Sequence, residues 1–181
     1  IIGCGDRGRN AHMKTLMPHA DAMNFEIVAL CDPWRQHREE ANQMAKEKFG
    51  RDAKMCSSYL ELLEMKDIDA VTIASPDHLH TTHLEAAAKA GKHIYVEKPF
   101  SHTVVEGRAM VAAAKKAGVV AMMGSQQRGY PHYPNAFDII RSGRLGKIAL
   151  VECWNYERHG RRVGRPADCD PPAGLHWDRW L

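Results

Sequence analysis

Glu97 and Lys98 stand side by side at the end of an apolar run, HIYV (93–96), and Pro99 follows them. An acid and a base at the mouth of a buried strand ask for a chemical reason. Proline cannot donate a ladder hydrogen bond, so the strand must stop there. That leaves a lysine at the carboxyl edge of the sheet, where an ammonium can hold a substrate oxygen and stabilise negative charge developing on it. Glu97 can orient that lysine or hydrogen-bond a cofactor ribose. The plainer reading is an ion pair decorating a strand end.

A second group stands at the start of the chain. Gly3-Cys4-Gly5-Asp6-Arg7-Gly8 fits G-x-G-x-x-G between strand-type residues and a helical stretch. Its three glycines suit a tight turn, a close approach of backbone to a pyrophosphate, and packing of helix on strand; Asp6 and Arg7 lie inside the same binding loop. A helix beginning there turns unpaired N–H groups and the positive end of its dipole toward phosphate. Asp32 ends the next strand, 24 residues after Gly8. A carboxylate at that place accepts hydrogen bonds from an adenosine ribose and repels a 2′-phosphate, so NAD is favoured over NADP. Arg35 keeps NADP as the alternative, since it could pair with a phosphate, stack on adenine or simply solvate its helix. Ser75-Pro76-Asp77-His78 closes another apolar run. Ser75 and Pro76 are expected at the cofactor, and Asp77 as the cap of the helix that follows.

These residues need elements to hold them at one edge. EIVALCD (26–32) and DAVTIAS (69–75) are continuous apolar runs of the kind buried in a parallel sheet, and VVAMMGS (119–125) is a further strand. Helices are expected at 8–16, 34–50, 78–91, 102–118 and 133–143, with a short one begun by Ser57 or Ser58; glycines stop the longer ones. Strand and helix alternate through residue 125, which predicts βαβ units, a doubly wound α/β domain with a parallel sheet covered on both faces. After Gly146 the texture changes. The alternation in KIALVECWNYERH (147–159) predicts the first strand of a second, antiparallel sheet. The expected organisation is a dinucleotide-binding domain over 1–125, a connecting helical region over 126–146, and the opening of a second α/β domain over 147–181. The chain reads as starting in mid-strand and stopping early in that second domain, so any export signal would precede it; cytoplasm is the default compartment and periplasm the alternative.

Composition excludes several classes. A net charge of +3 gives no broad basic surface for nucleic acid, and RHGRRVGR (158–165) reads as a solvated loop. No apolar stretch approaches the roughly 20 residues that span a bilayer. The five cysteines are odd in number and scattered, which argues for reduced, buried thiols rather than disulfides or zinc. His78, His80 and His83 do not share one helical face, so no metal site is expected.

GCGDRG, CDP, SPDHLH and AGKHIYVEKPFS, in this order and spacing, resemble the Gfo/Idh/MocA family of oxidoreductases. The resemblance implies a Rossmann domain followed by a domain with an open, mostly antiparallel sheet. It implies hydride transfer between NAD(H) or NADP(H) and a sugar or cyclitol hydroxyl carbon, in a homo-oligomer. Carried over residue by residue, Gly3, Gly5 and Gly8 would cradle the pyrophosphate and Asp32 the adenosine ribose. Ser75, Pro76 and His80 would line the cofactor, Glu97 would lie beside its nicotinamide half, and Lys98 would bind the reacting hydroxyl as a catalytic residue. Gln126 falls where many members carry Asn near the nicotinamide ribose, and Gln127 where Arg is frequent. The family's acid/base histidine belongs to the second domain and has no counterpart here. An NAD-dependent glycoside hydrolase of the same fold, and a cofactor-binding regulator without chemistry, are the alternative functions.

Overall fold

Short apolar strands built from β-branched and small residues lie at the centre of the structure, a computed structural model that describes residues 1–154 and 167–180. β1 (Ala29–Cys31) pairs in parallel with β2 (Lys54–Cys56), and β3 (Ala70–Ile73), β4 (His93–Val96) and β5 (Ala121–Met123) form a second parallel set. Ile2 joins the sets, bridging Cys31 on one side and Ile73 on the other. The spatial order is therefore β2, β1, the Ile2 segment, β3, β4, β5. From Ile2 the chain winds outward to β2, then crosses back to build the other half. This reversal places a crevice beside Ile2, at the carboxyl ends of the strands, where open α/β sheets take their ligands. It is the Rossmann arrangement expected. β2 lay outside the expected strands: as an outer strand it exposes Lys54 and Met55 and buries Cys56, so its sequence KMC carries no apolar run.

Helices follow their local signals. Arg35–Phe49 ends at Gly50, whose positive φ lets the chain turn off the helix. Ser58 caps Tyr59–Leu63 by accepting from the Leu60 N–H. Thr103 and Glu106 form a reciprocal capping box for Val104–Ala117. The first helix departs from ideal: Arg7–Met13 is wound in wide turns, with the Lys14 N–H reaching Arg9 O, before Lys14–Leu16 tightens. Asp77 does not cap. It opens a short 3₁₀ turn, Asp77–Leu79, ahead of His80–Lys89, and that turn has no side-chain cap. Pro76 occupies the cap position itself, and its carbonyl accepts the Leu79 N–H at 2.9 Å, so Asp77 falls inside the turn rather than before it.

Two apolar clusters cover the sheet around β1, β3 and β4, while all of β5 and most of β2 are exposed, short of the cover on both faces that was expected. Ala29, Cys31, Val71, Ile73, Ile94 and Val96 pack with Leu62, Leu84, Ala87 and Met110 from the helices on one side. Cys4, Leu30, Met13, Ala41 and Ala45 form the other. Both faces are thus covered at β1. At β3 and β4 burial alternates, with Thr72 and Tyr95 only half-buried.

The chain divides into two compact units, Ile1–Gly124 together with the stretch from Pro172, and Ser125–Pro171. In the second, the Gln126–Gly129 turn precedes the helix His132–Arg141, which gives way at Gly143. Residues 148–154 form no strand, contrary to the expectation from their alternation. A strand exists only where another satisfies its N–H and C=O groups, and the described residues of this unit contain no other strand. The rest of that run and the cluster at 158–165 lie outside the described residues. The last stretch, expected to lead into a second domain, packs within the first unit. Trp34 bridges Leu175, the His176 N–H donates to Pro33 O at 3.1 Å, and Arg179 Nη1 donates to Ser57 O and Oγ at 3.1 and 2.9 Å.

Candidate active site

The glycine loop is shaped by what it must fit between. Gly3 has φ +89°, and a Cβ there would lie 2.6 Å from the Ala74 carbonyl carbon at the end of β3. Gly8 sits so close to the loop's start that its Cβ would fall 2.0 Å from Gly3 O. Gly5 meets nothing nearer than the His37 ring at 3.6 Å. Two glycines therefore close the turn, while the third leaves its backbone open to the crevice. The cleft there has a volume of about 430 Å³. Its walls include Gly3, Gly5, Asp6, Arg7, Asp32, Ser75 and Pro76, which unites seven of the expected positions.

Asp32, at the end of β1, is 3% exposed. Its Oδ2 accepts the Cys4 N–H at 2.8 Å and its Oδ1 the Trp34 N–H at 2.8 Å, with His37 Nδ1 at 3.3 Å from Oδ1. The carboxylate thus ties the glycine loop to the turn after β1. Arg38 donates to its carbonyl oxygen. Arg35 is exposed and lies 3.6 Å from Glu39 in a surface pair; it is not among the cleft residues.

His80 lies beneath the site. It is fully buried, with Nδ1 2.7 Å from Pro99 O and Nε2 3.0 Å from Ser75 O. It therefore joins the turn after β3 to the turn after β4, and it is absent from the cleft wall. His83, which sequence reasoning set aside, does line the cleft. Its Nδ1 lies 2.9 Å from Ser75 Oγ, its ring packs on Tyr59, and burial, helped by His80 and His78, pushes its pKa down to about 4. A neutral imidazole here braces Ser75.

Glu97 and Lys98 part company at the end of β4. Glu97 is 3% exposed. Its Oε1 accepts from Arg7 Nε at 2.8 Å and lies 2.8 Å from His12 Nε2, and its Oε2 accepts the Lys98 N–H at 3.0 Å. Burial alone would raise its pKa, but the hydrogen bonds from His12 and Arg7 hold it below the usual carboxylate range. Lys98 is exposed, before a cis Pro99, and its ammonium has no ion pair among the described residues. A charged group free of partners at a strand's carboxyl end can meet a ligand without first breaking a contact. Gln126 begins the turn of the second unit.

Three cysteines behave as read: Cys4, Cys31 and Cys56 are buried free thiols, and burial pushes Cys4 up to about 12. Cys153 and Cys169 are free but exposed, contrary to the expectation of burial. Among the described residues no group of three or more His, Cys, Asp or Glu could hold a metal, and no helix is long and apolar enough to cross a membrane.

Comparison with known proteins gives concordant matches. A family model for Gfo/Idh/MocA, described as an oxidoreductase family with an NAD-binding Rossmann fold, matches residues 1–125. D-apiose dehydrogenase of Paraburkholderia graminis is 36% identical over 147 residues, covering 81% of this chain and 36% of that protein. The NAD(+) scyllo-inositol 2-dehydrogenase of Bacillus subtilis is 32% identical over 148 residues, covering 81% and 41%. Among solved structures, the WlbA dehydrogenase from Bordetella pertussis in complex with NADH and UDP-GlcNAcA superposes with a TM-score of 0.69 at 32% identity, covering 81% of this chain and 40% of that one. The chain thus spans well under half the length of each. A match over the whole alternating region, on the crevice just described, gives the chain its place: it belongs to the Gfo/Idh/MocA family of oxidoreductases.

Proposed function

We propose that this chain is the cofactor-binding part of an NAD-dependent oxidoreductase that moves hydride between the nicotinamide and a hydroxyl-bearing carbon of a sugar or cyclitol. The observation that carries it is the meeting, in one cleft at the carboxyl ends of a parallel sheet, of a glycine loop and a fixed carboxylate, with Lys98 outside the cleft wall but at the end of β4 on the same sheet and without an ion pair among the described residues. The names of its relatives support the substrate class. NAD, when bound, supplies the hydride acceptor. The residues fit it: the open backbone at Gly5 and the helix start at Arg7 face the cleft, where they would take the pyrophosphate. Asp32 would meet the adenosine ribose, and Ser75 and Pro76 would form the wall opposite. Lys98 would hold the reacting oxygen and favour its anionic form while the carbon gives up hydride. The base that removes the hydroxyl proton is assigned to no residue of this chain. Substrate, partners and assembly belong to the full-length enzyme, for which we propose a homo-oligomer.

The test is NADH formation, followed by absorbance, with a panel of sugars and cyclitols supplied to the full-length enzyme, alongside calorimetric titration of NAD into this chain. Binding of NAD together with oxidation of at least one polyol is expected. Absence of NAD binding would remove the proposal.

Cofactor choice follows from Asp32. Its fixed negative charge in the cleft wall disfavours a 2′-phosphate, so NAD should bind more tightly than NADP. Asp32→Ala should narrow that preference. It should also cost about 1–3 kcal/mol of stability, because the Cys4 and Trp34 N–H groups lose their acceptors. Titration with both nucleotides and chemical denaturation read the two effects separately. An NADP preference in the unaltered chain would refute the ribose assignment.

A further inference from the structure

His12 belongs to none of the motifs. It lies on the far side of the glycine loop, 85 residues from Glu97, yet its Nε2 is 2.8 Å from Glu97 Oε1. The ring is 6% exposed and stands edge-on to Tyr95 of β4, with centroids 5.4 Å apart. Its Nδ1 is buried and makes no hydrogen bond within the described structure. That arrangement suits a neutral ring with its proton on Nε2, donating to the carboxylate and leaving an acceptor nitrogen in an apolar setting. Burial, the main influence on His12, pushes it toward the same neutral form. Arg7 reaches the same oxygen from the glycine loop, with Nη2 at 2.7 Å. Glu97 in turn takes the Lys98 N–H on its other oxygen. The path from loop to lysine is therefore continuous: His12 and Arg7 grip one carboxylate oxygen, and the other grips the main chain that carries the lysine.

We propose that His12 is a positioning residue for the nicotinamide half of the site. It fixes the Glu97 carboxylate, and through it the turn bearing Lys98, against the helix that follows the phosphate loop. This rests on the reading that Glu97 and Lys98 flank the nicotinamide half. The chemistry favours a histidine for the task. Arg7, although paired with Glu97, is half-exposed at the cleft where a phosphate could compete for it, whereas His12 is enclosed beside the carboxylate. A buried carboxylate that loses one of its donors turns toward whatever donor remains, and the turn bonded to it moves as well.

The experiment uses two probes on the chain. AMP reports the adenosine half alone, and NAD reports both halves. In the unaltered chain NAD should bind more tightly than AMP. His12→Leu should weaken NAD about tenfold and leave AMP unchanged. His12→Gln, whose amide nitrogen reaches as far as His12 Nε2, should restore most of the NAD affinity. His12→Asn, polar but too short to reach, should resemble His12→Leu and serves in its place should the leucine variant fail to fold. Circular dichroism melts accompany each titration. A merely structural histidine would lower the melting temperature while NAD and AMP weakened together, or not at all, and either pattern overturns the proposal. Equal NAD affinities in the Gln and Asn variants overturn it too. Failure of the unaltered chain to bind NAD would fall on the functional reading instead, because the two-probe comparison starts from that binding.

Discussion

Replacing Lys98 by Met is expected to lower turnover by roughly 100-fold or more, while the affinity for NAD changes little. The size follows from what one preorganised electrostatic stabiliser contributes, roughly 10²–10³ in rate, or about 3 kcal/mol of barrier. The selectivity for turnover follows from the geometry. Lys98 is exposed and its ammonium carries no ion pair among the described residues, so removing it breaks no contact there. Glu97, by contrast, is held by Arg7, His12 and a main-chain N–H, and its replacement would disturb the fold around it. The methionine keeps most of the side chain's length and apolar volume. Kinetics of the full-length enzyme with an accepted polyol, set beside calorimetric titration of NAD, separate the two quantities. Loss confined to kcat and kcat/KM would mark an interaction made in the transition state. Near-normal turnover would make the lysine a solvated strand end.

Much of this site was legible in the sequence because its residues sit at places the backbone dictates. Gly3, Gly8, Asp32 and Pro99 mark strand ends and turns, where type and position are coupled by steric rules and by missing donors. The longer helices were legible for the same reason, through stopping glycines such as Gly50 and Gly118, while the Thr103–Glu106 box was seen only in the structure. What escaped is what depends on neighbours distant in sequence. β2 has no pattern of its own, being made into a strand by the β1 edge beside it. The alternation that begins at 147 looked like a strand, but alternation supplies only half of one, and over the described residues 148–154 no pairing edge supplies the other half. His80 was read as a cofactor contact from the family resemblance alone, and Glu97 from its place at the strand end as well. What the sequence did not reveal is that both are buried and bridge turns that no spacing rule connects. His12 and His83 carried no signal, since a lone histidine on a helix announces nothing until the carboxylate or hydroxyl opposite it is seen. The return of Leu175 to Trp34 was equally hidden, an antiparallel bridge of 141 residues' separation.

Gly3→Ala should be severely damaging for so small a substitution. Two independent costs fall on the same atom. The backbone is left-handed at φ +89°, which burdens any residue with a Cβ by roughly 1–2 kcal/mol. The new methyl would also lie 2.6 Å from the carbonyl carbon and oxygen of Ala74 and 2.7 Å from the Ser75 nitrogen. Those are main-chain atoms of a central strand's end and cannot turn aside as a side chain would. Relieving the overlap means prising the loop away from β3, at a further cost of about 1–3 kcal/mol. A domain of this kind is stable by only about 5–15 kcal/mol, so the sum removes a large share. The displacement has a chemical consequence as well. Ser75 and Pro76 form one wall of the cleft and the loop forms another, so parting them opens the space a pyrophosphate would fill. Gly118 supplies the control, because its φ of +68° imposes the conformational cost while nothing lies within 4 Å of its Cβ position. Chemical denaturation should therefore show Gly3→Ala losing at least twice the stability lost by Gly118→Ala. NAD titration should show binding abolished or weakened strongly in the first and preserved in the second. Equal losses in the two variants would mean that the loop moves off β3 freely, and that the close contact at Ala74 does not hold the site in shape.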